Sequence, residues 1–420
     1  MREVGVGIIG VGVVGSSVVK ILQKNQEIIS ARTGVKLVVK CGVVRDLKKD
    51  RGVDIPLSDD LDALISDPEI EIIIELIGGV DRAYEIAKKI LNAGKSLVTA
   101  NKAMLAYHRY ELEALAKDNM IGFEASVCGG IPVIKAFKDG LSANHILSLK
   151  AILNGTSNFI LTQMIKNHLT FEKALEDAQK LGYAEQDPSL DINGSDAGHK
   201  LLILASLAYG IDARPEDIVI EGIEGISPSD ILFAQEFGYV IKLLGIAKKR
   251  GDEVELRVHP VLIKNDEMIA KIDGVMNGVS IIGDCVGEML YYGAGAGGDA
   301  TASAVVSDLI EIVRGKNSNM LGFEKQNFLL KVMPKEKIQS RYYIRFQAYD
   351  RAGVLSQASG IFGRNNISIQ VLLQKEGKDG VAELMFITHK SLESSVICAL
   401  NEINTQDFVV QKSVFIRIED

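Results

Sequence analysis

The chain has little cysteine. Its 420 residues contain four, at Cys41, Cys128, Cys285 and Cys398. They are far apart, and no CxxC or Cys/His spacing occurs. That excludes the usual zinc frameworks and fits a reducing, cytoplasmic compartment. An excess of basic residues is also missing. The formal net charge is -8, which disfavours nucleic acid as a partner, because phosphate backbones attract basic surfaces. The opening MREVGVGIIG lacks a cationic stretch followed by a long apolar run, and no apolar run reaches the length of a membrane span. There is no low-complexity tract. With 47% hydrophobic and 24% charged residues, the composition is that of a folded protein. The length calls for two or three domains.

What is present first is alternation. Val4–Ile9 is a short apolar strand ending in glycines, and a helical pattern follows over Val13–Gln23. Lys36–Val44, Ile70–Ile77 and Ser96–Thr99 read as further strands. Tyr84–Asn92 and Ala103–Asp118 read as helices between and after them. This order predicts a parallel sheet with right-handed crossovers. After Gly129-Gly130-Ile131-Pro132 the texture becomes α+β. Helices are expected at Ser157–Asn167, Phe171–Leu181 and Asp196–Tyr209, and strands at Ile146–Leu153 and Val254–Ile263. A glycine-rich stretch, 293–298, leads into a helix near Ala302–Val313. Residues 314–338 are polar and punctuated, as in a linker. The last 80 residues read strand, helix, strand, strand, helix, strand, a ferredoxin-like order. The expected domains are therefore 1–130 with about 300–320 added, then 131–300, then 341–420.

Gly10-Val11-Gly12-Val13-Val14-Gly15 has GxGxxG spacing between a strand and a helix. Gly10 permits the tight turn and Gly12 lets the backbone approach a pyrophosphate. Gly15 lets the helix pack closely, and the helix N-terminus faces the phosphate. This predicts a dinucleotide site. Arg45 and Asp46 follow the second strand. Arg45 suits the 2′-phosphate of NADP and Asp46 the ribose hydroxyl of NAD. Arg45 lies nearer the strand end, which favours NADP and leaves NAD open. Lys48 and Lys49 read as a solvated loop.

The densest chemistry lies in Gly182–Lys200, GYAEQDPSLDINGSDAGHK. Asp196 and Lys200 stand i, i+4 on a helix that Ser195 or Asp196 is expected to cap. An i, i+4 pair is usually a solvated salt bridge. This one precedes the apolar run LLILASLAYG, so Lys200 borders buried surface, where lysine pKa values move.

This segment closely resembles the signature of homoserine dehydrogenases. TANKAML (99–105), EASVCGGIP (124–132), NGTSNFI (154–160) and GAGAGGDATASAVVSDL (293–309) are similar to that family as well. The resemblance spans about residues 4–310. It implies interconversion of L-homoserine and L-aspartate 4-semialdehyde in threonine, methionine and isoleucine biosynthesis. It implies Lys200 as acid/base with Asp196 orienting it, and Glu185 and Asp191 as ligands of the substrate ammonium. Lys102 would stand between cofactor and substrate and share in proton transfer. Thr99, Ala100 and Gly298 would lie on the cofactor side, with Val13 and Val14 in the glycine loop. Relatives hold a monovalent cation, usually sodium. The matching positions are Glu124 and the carbonyls of Val127, Gly129 and Ile131; hydrogen bonding of Glu124 to the GGIP turn is the alternative. A nucleophilic Cys128 would imply a different, phosphorylating reaction. No histidine stands in a partner motif for it, so it reads as a small hydrophobe. His199 lies about 100° around the helix from Lys200 and is expected to pack.

Asp350-Arg351-Ala352-Gly353-Val354-Leu355 and Asn366-Ile367-Ser368-Ile369 closely resemble an ACT domain. That implies an amino-acid effector, threonine for this family, near Asp350 and Gly353, or else a module that only dimerises. A homodimer or larger homo-oligomer is expected. No kinase-like segment precedes the first strand, so a monofunctional enzyme is expected. The competing readings are an amino-acid dehydrogenase, which the Glu185–Lys200 segment opposes, and a nucleotide sensor, which needs no acid/base pair.

Overall fold

The structure is a computed structural model and describes residues 1–315, 319–324, 330–377 and 379–419. The N-terminal part builds a parallel sheet. Its strand order is Leu57–Ser58, Val35–Val43, Arg2–Ile9, Ile70–Glu75, Ser96–Thr99, Ile121–Gly122. Successive side chains of a strand point to opposite faces, and both faces here are covered. Ile72 and Ile74 pack with Val18, Val305 and Leu309 on one face, while Ile73 packs with Ile86 and Ile90 on the other. The order reverses between the first and fourth strands in sequence. That is the crevice where doubly wound sheets take ligands. The Gly298–Arg314 helix returns from far along the chain to pack beside Val13–Lys24.

The second sheet is mixed. From one edge it runs Gly287–Ala294, Met276–Gly283, Ile146–Ile152, Tyr239–Arg250, Glu253–Lys264. It then continues without a break into Val409–Glu419, Gln339–Tyr349, Val381–Thr388 and Ile369–Glu376. The last four strands are the ACT part, with helices Val354–Arg364 and Glu393–Ile403 on one face. The other face is not free. Tyr343 packs on Phe233 of the Pro228–Glu236 helix, ring centroids 4.5 Å apart.

The C-terminal part joins the preceding one directly: Val261–Ile263 pair in parallel with Arg417–Glu419, linking the two sheets through backbone hydrogen bonds. The expected linker, 314–338, lies partly outside the described residues, at 316–318 and 325–329. Its described parts are docked. Met320 and Leu321 are buried, and Lys331–Val332 pair with Glu253–Val254.

Candidate active site

At the C-terminal ends of the parallel strands lies a cleft of about 930 Å³, lined by Gly10, Gly12, Val13, Arg45 and Gly78 among others. Gly10 has φ +97°, and a Cβ there would lie 2.8 Å from the Leu76 carbonyl oxygen. A Cβ on Gly15 would lie 2.5 Å from the Gly10 oxygen, so the helix packs against the turn as only glycine allows. Nothing lies within 4 Å of a Cβ built on Gly12, which leaves the loop open to a bulky group. Val13 is exposed and Val14 is half-buried. Gly298 opens its own helix, and a side chain there would strike Val13. Arg45 lines the cleft. So do Lys49, which is exposed, and Arg51.

The Gly182–Lys200 segment folds as two short turns and the Ser195–Tyr209 helix. Gly194, in the left-handed region, is its N-cap with no side-chain cap bond, not Ser195 or Asp196 as expected. Asp196 is thereby free to turn inward. Lys200 Nζ donates to Asp196 Oδ2 at 2.6 Å and to the Leu153 carbonyl at 2.8 Å. Lys102 Nζ stands 3.4 Å from Asp196 Oδ1. Burial alone would raise the Asp196 pKa, but the charges of Lys200 and Lys102 hold it well below the usual carboxylate range. Burial would depress Lys200, but Asp196 outweighs it and raises the ammonium pKa. The carboxylate of Asp196 thus favours the ammonium form of Lys200.

Asn154 was passed over in the sequence although NGTSNFI contains it. Its Oδ1 accepts the Ser157 amide, capping the Gly155–Asn167 helix. Its Nδ2 donates to Asp191 Oδ1 at 2.7 Å and Asp196 Oδ2 at 2.9 Å. One amide therefore sets two carboxylates side by side, and burial raises the pKa of Asp191. Glu75 was also missed. It is fully buried at the end of its strand. It accepts the Thr99 hydroxyl at 2.5 Å and the Ile77 amide at 2.7 Å, and burial pushes its pKa up to about 7. Asn101 donates to the carbonyls of Ile77 and Gly79, and its Oδ1 accepts the Met104 amide. Lys102 is the first residue of the helix so capped. Glu75 and Asn101 together tie the cleft loop at 77–79 to the turn presenting Lys102. Thr99 itself is buried with its hydroxyl donated to Glu75.

Three family models match. Residues 132–310 match "Homoserine dehydrogenase", 10–123 "Homoserine dehydrogenase, NAD binding domain" and 342–396 "ACT domain". A homoserine dehydrogenase of Helicobacter pylori is 59% identical over 420 residues, covering 100% of both chains. One from Pseudomonas aeruginosa is 42% identical over 100% of this chain and 99% of its own. The chain belongs to the homoserine dehydrogenase family. Its members are NAD(P)-dependent oxidoreductases. The crystal structure of a homoserine dehydrogenase from Thiobacillus denitrificans superposes with TM-score 0.96 at 42% identity, covering 100% of this chain and 99% of that one. A hyperthermophilic archaeal homoserine dehydrogenase, solved in complex with NADPH, gives TM-score 0.63 at 28% identity over 78% of this chain and 100% of its own.

The remaining family positions fare differently. Glu185 is exposed, and among the described residues no hydrogen bond or ion pair holds its carboxylate. Glu124 is buried, and both its oxygens are engaged, by the amides of Ile134 and Lys135. These amides open the short Val133–Lys135 helix that follows the GGIP turn. Val127, Gly129 and Ile131 are buried around it. Cys128 is fully buried and burial pushes its thiol up to about 11, which suits a hydrophobe and not a nucleophile. His199 packs edge-on to Tyr107, centroids 6.1 Å apart. In the ACT part, Gly353 (φ +91°) opens the Val354–Arg364 helix, and the exposed Asp350 accepts a hydrogen bond from Gln374.

Proposed function

We propose that this homoserine dehydrogenase interconverts L-homoserine and L-aspartate 4-semialdehyde with Lys200 as the acid/base. The carrying observation is the ammonium of Lys200, fixed between a carboxylate and a carbonyl and held charged. A bound nicotinamide supplies or accepts the hydride. In the reduction, Lys200 Nζ gives its proton to the aldehyde oxygen as that oxygen gains negative charge; in the oxidation, the neutral amine takes the hydroxyl proton. Asp196 orients Lys200, and Lys102 adds positive charge beside the developing alkoxide. Asp191, and Glu185 from its exposed turn, bind the substrate ammonium. The open Gly12 backbone and the helix N-termini beside it fit the pyrophosphate. Arg45, Lys49 and Arg51 favour a 2′-phosphate, hence NADP. The oxygen donors of the 124–131 turn suit a hard monovalent cation such as sodium, in a structural role with Glu124 shaping the turn.

The reaction belongs to threonine, methionine and isoleucine biosynthesis, and L-threonine acting near Asp350 and Gly353 is the proposed feedback effector. Widely spaced free cysteines fit the reducing cytoplasm, and no helix among the described residues is long and apolar enough to cross a membrane. The open edge strand Gly287–Ala294, with Met289 and Tyr292 exposed, suits a homo-oligomer. The test is NADPH formation with L-homoserine or L-aspartate. Turnover is expected with homoserine alone. Lys200→Ala should lose about 10²–10⁴-fold in kcat while cofactor binding survives. More than half the activity remaining would remove Lys200 from the chemistry.

A further inference from the structure

Arg417 lies on the last ACT strand with its side chain 1% exposed. Its guanidinium is divided between two domains. Nε donates to Glu393 Oε2 at 2.9 Å, and Glu393 also accepts the Tyr342 hydroxyl at 2.8 Å, both within the ACT part. Nη1 and Nη2 donate to the two oxygens of Glu221 at 2.7 and 2.9 Å. This is a bidentate pair, the geometry that best fixes both partners in orientation. Glu221 belongs to the catalytic part, where its amide donates to the Val258 carbonyl at 2.8 Å.

The residues beside Glu221 bear directly on the catalytic turns. A Cβ on Gly222 would lie 2.3 Å from the Ile192 carbonyl oxygen and 2.7 Å from Asn193 Cα, so backbone meets backbone with no slack. The Ile223 amide donates to the same Ile192 oxygen at 2.9 Å. Ile220 closes on Gly194 and Gly198, at the start of the helix that carries Asp196. The neighbour of Ile192 is Asp191, whose carbonyl accepts the Ser157 hydroxyl at 2.6 Å and whose carboxylate accepts Asn154. Residues 219–223 thus form a wedge, with the ACT guanidinium on one side and the Asp191 turn on the other. Interiors packed this tightly pass a displacement on and do not absorb it.

We propose that Arg417 and Glu221 are positioning residues. Their ion pair sets the placement of Asp191, and so the affinity for the amino-acid substrate, and it is the route by which a change in the ACT domain reaches the active site. The inference rests on the reading of Asp191 as a ligand of the substrate ammonium.

The experiment is steady-state kinetics on the full-length chain with Glu221→Gln, Arg417→Lys, the double variant and Asp191→Asn, each checked for its melting temperature. Glu221→Gln keeps the packing and removes the charge. It should raise the homoserine KM about 5-fold or more, the lower end of typical inter-site coupling, with kcat and the NADP KM changed less than twofold. Arg417→Lys should act in the same direction. The double variant should be no worse than the weaker single, since both break one interaction. An unchanged homoserine KM in Glu221→Gln, while Asp191→Asn raises it, overturns the inference and leaves the reading of Asp191 standing. An unchanged KM in Asp191→Asn takes both down. A lower melting temperature with kcat falling and KM unmoved marks the pair as merely structural, and additive effects in the double variant break the link between the two residues.

Discussion

Asp196 meets three partners with one carboxylate: Lys200, Lys102 and Asn154. Its negative charge is what keeps Lys200 protonated against the pull of burial. In the proposed mechanism oxidation needs the neutral amine, so the kcat for homoserine oxidation should rise with pH toward the alkaline side. Asp196→Asn removes the opposing charge and should move the midpoint of that rise to lower pH. The pH profile of kcat measures it, and a midpoint that stays put assigns the proton to another group. Glu75 shows the reverse effect of burial. Its ordinary value of 4.5 is raised to about 7 with no exposure. Between those values the folded state holds a proton that the unfolded chain has released. Stability is therefore present below pH about 4.5, falls as pH rises to about 7, and stays lower above that. Glu75→Gln abolishes the titration. Denaturant melts near pH 5 and pH 8 should show wild type losing more stability than the variant, by up to about 3 kcal/mol at roughly 1.4 kcal/mol per unit. Equal losses would mean the carboxyl titrates normally.

At the scale of elements, the first strand, its glycine turn and the following helix form one device. The turn needs Gly10 at φ +97° and the helix needs Gly15 against the turn. The second strand, Val35–Val43, delivers Arg45 to the same cleft, and the loop after it brings Lys49 and Arg51. The cleft lining here carries Arg45, Lys49 and Arg51 with Asp50 and Asp59, and a guanidinium just past the strand end suits a phosphate more than a bare ribose. Arg45→Ala should accordingly weaken NADP more than NAD, as read by the KM for each. Because Lys49 and Arg51 remain, the loss should be partial. Equal loss for both cofactors, or loss for NAD alone, would give the ribose to Asp46.

For the whole molecule the decisive feature is the shared sheet. Cutting the chain near residue 338 would leave Val261–Ile263 as an open edge and uncover Phe233, now 1% exposed beneath Tyr343. It would also strip Asp230 of Arg345 and Tyr343. Unpaired edges and bared apolar faces promote association. The shortened chain should melt lower by at least about 2–4 °C, the change about 1 kcal/mol makes at this size, and should self-associate in light scattering. A monodisperse fragment of unchanged stability would show that the C-terminal part is an independent appendage. The proposed threonine effect is better tested in point variants that leave the sheet closed.

Local pattern was enough to read the alternating strands and helices, the GxGxxG turn, the i, i+4 pairing of Asp196 with Lys200 and the ACT-like order. Each depends on residues close in sequence, where periodicity and turn chemistry act directly. Glu75 and Asn154 were not legible. In the chain they are a strand-end acid and an asparagine before a helix, and their partners lie 24 residues away for Thr99, and 37 and 42 away for Asp191 and Asp196. Nothing local distinguished Lys49 from an ordinary loop lysine, because only the tertiary fold sets it at the rim of the cleft. The fusion of the two sheets was invisible for the same reason. Arg417–Glu419 reads as the end of a small module, and its pairing with Val261–Ile263 is fixed by which strand edge is left free once both parts have folded. Sequence determined which groups the protein has and the local shapes that carry them; tertiary packing decided their distances, their burial and hence the charge states on which the proposed chemistry depends.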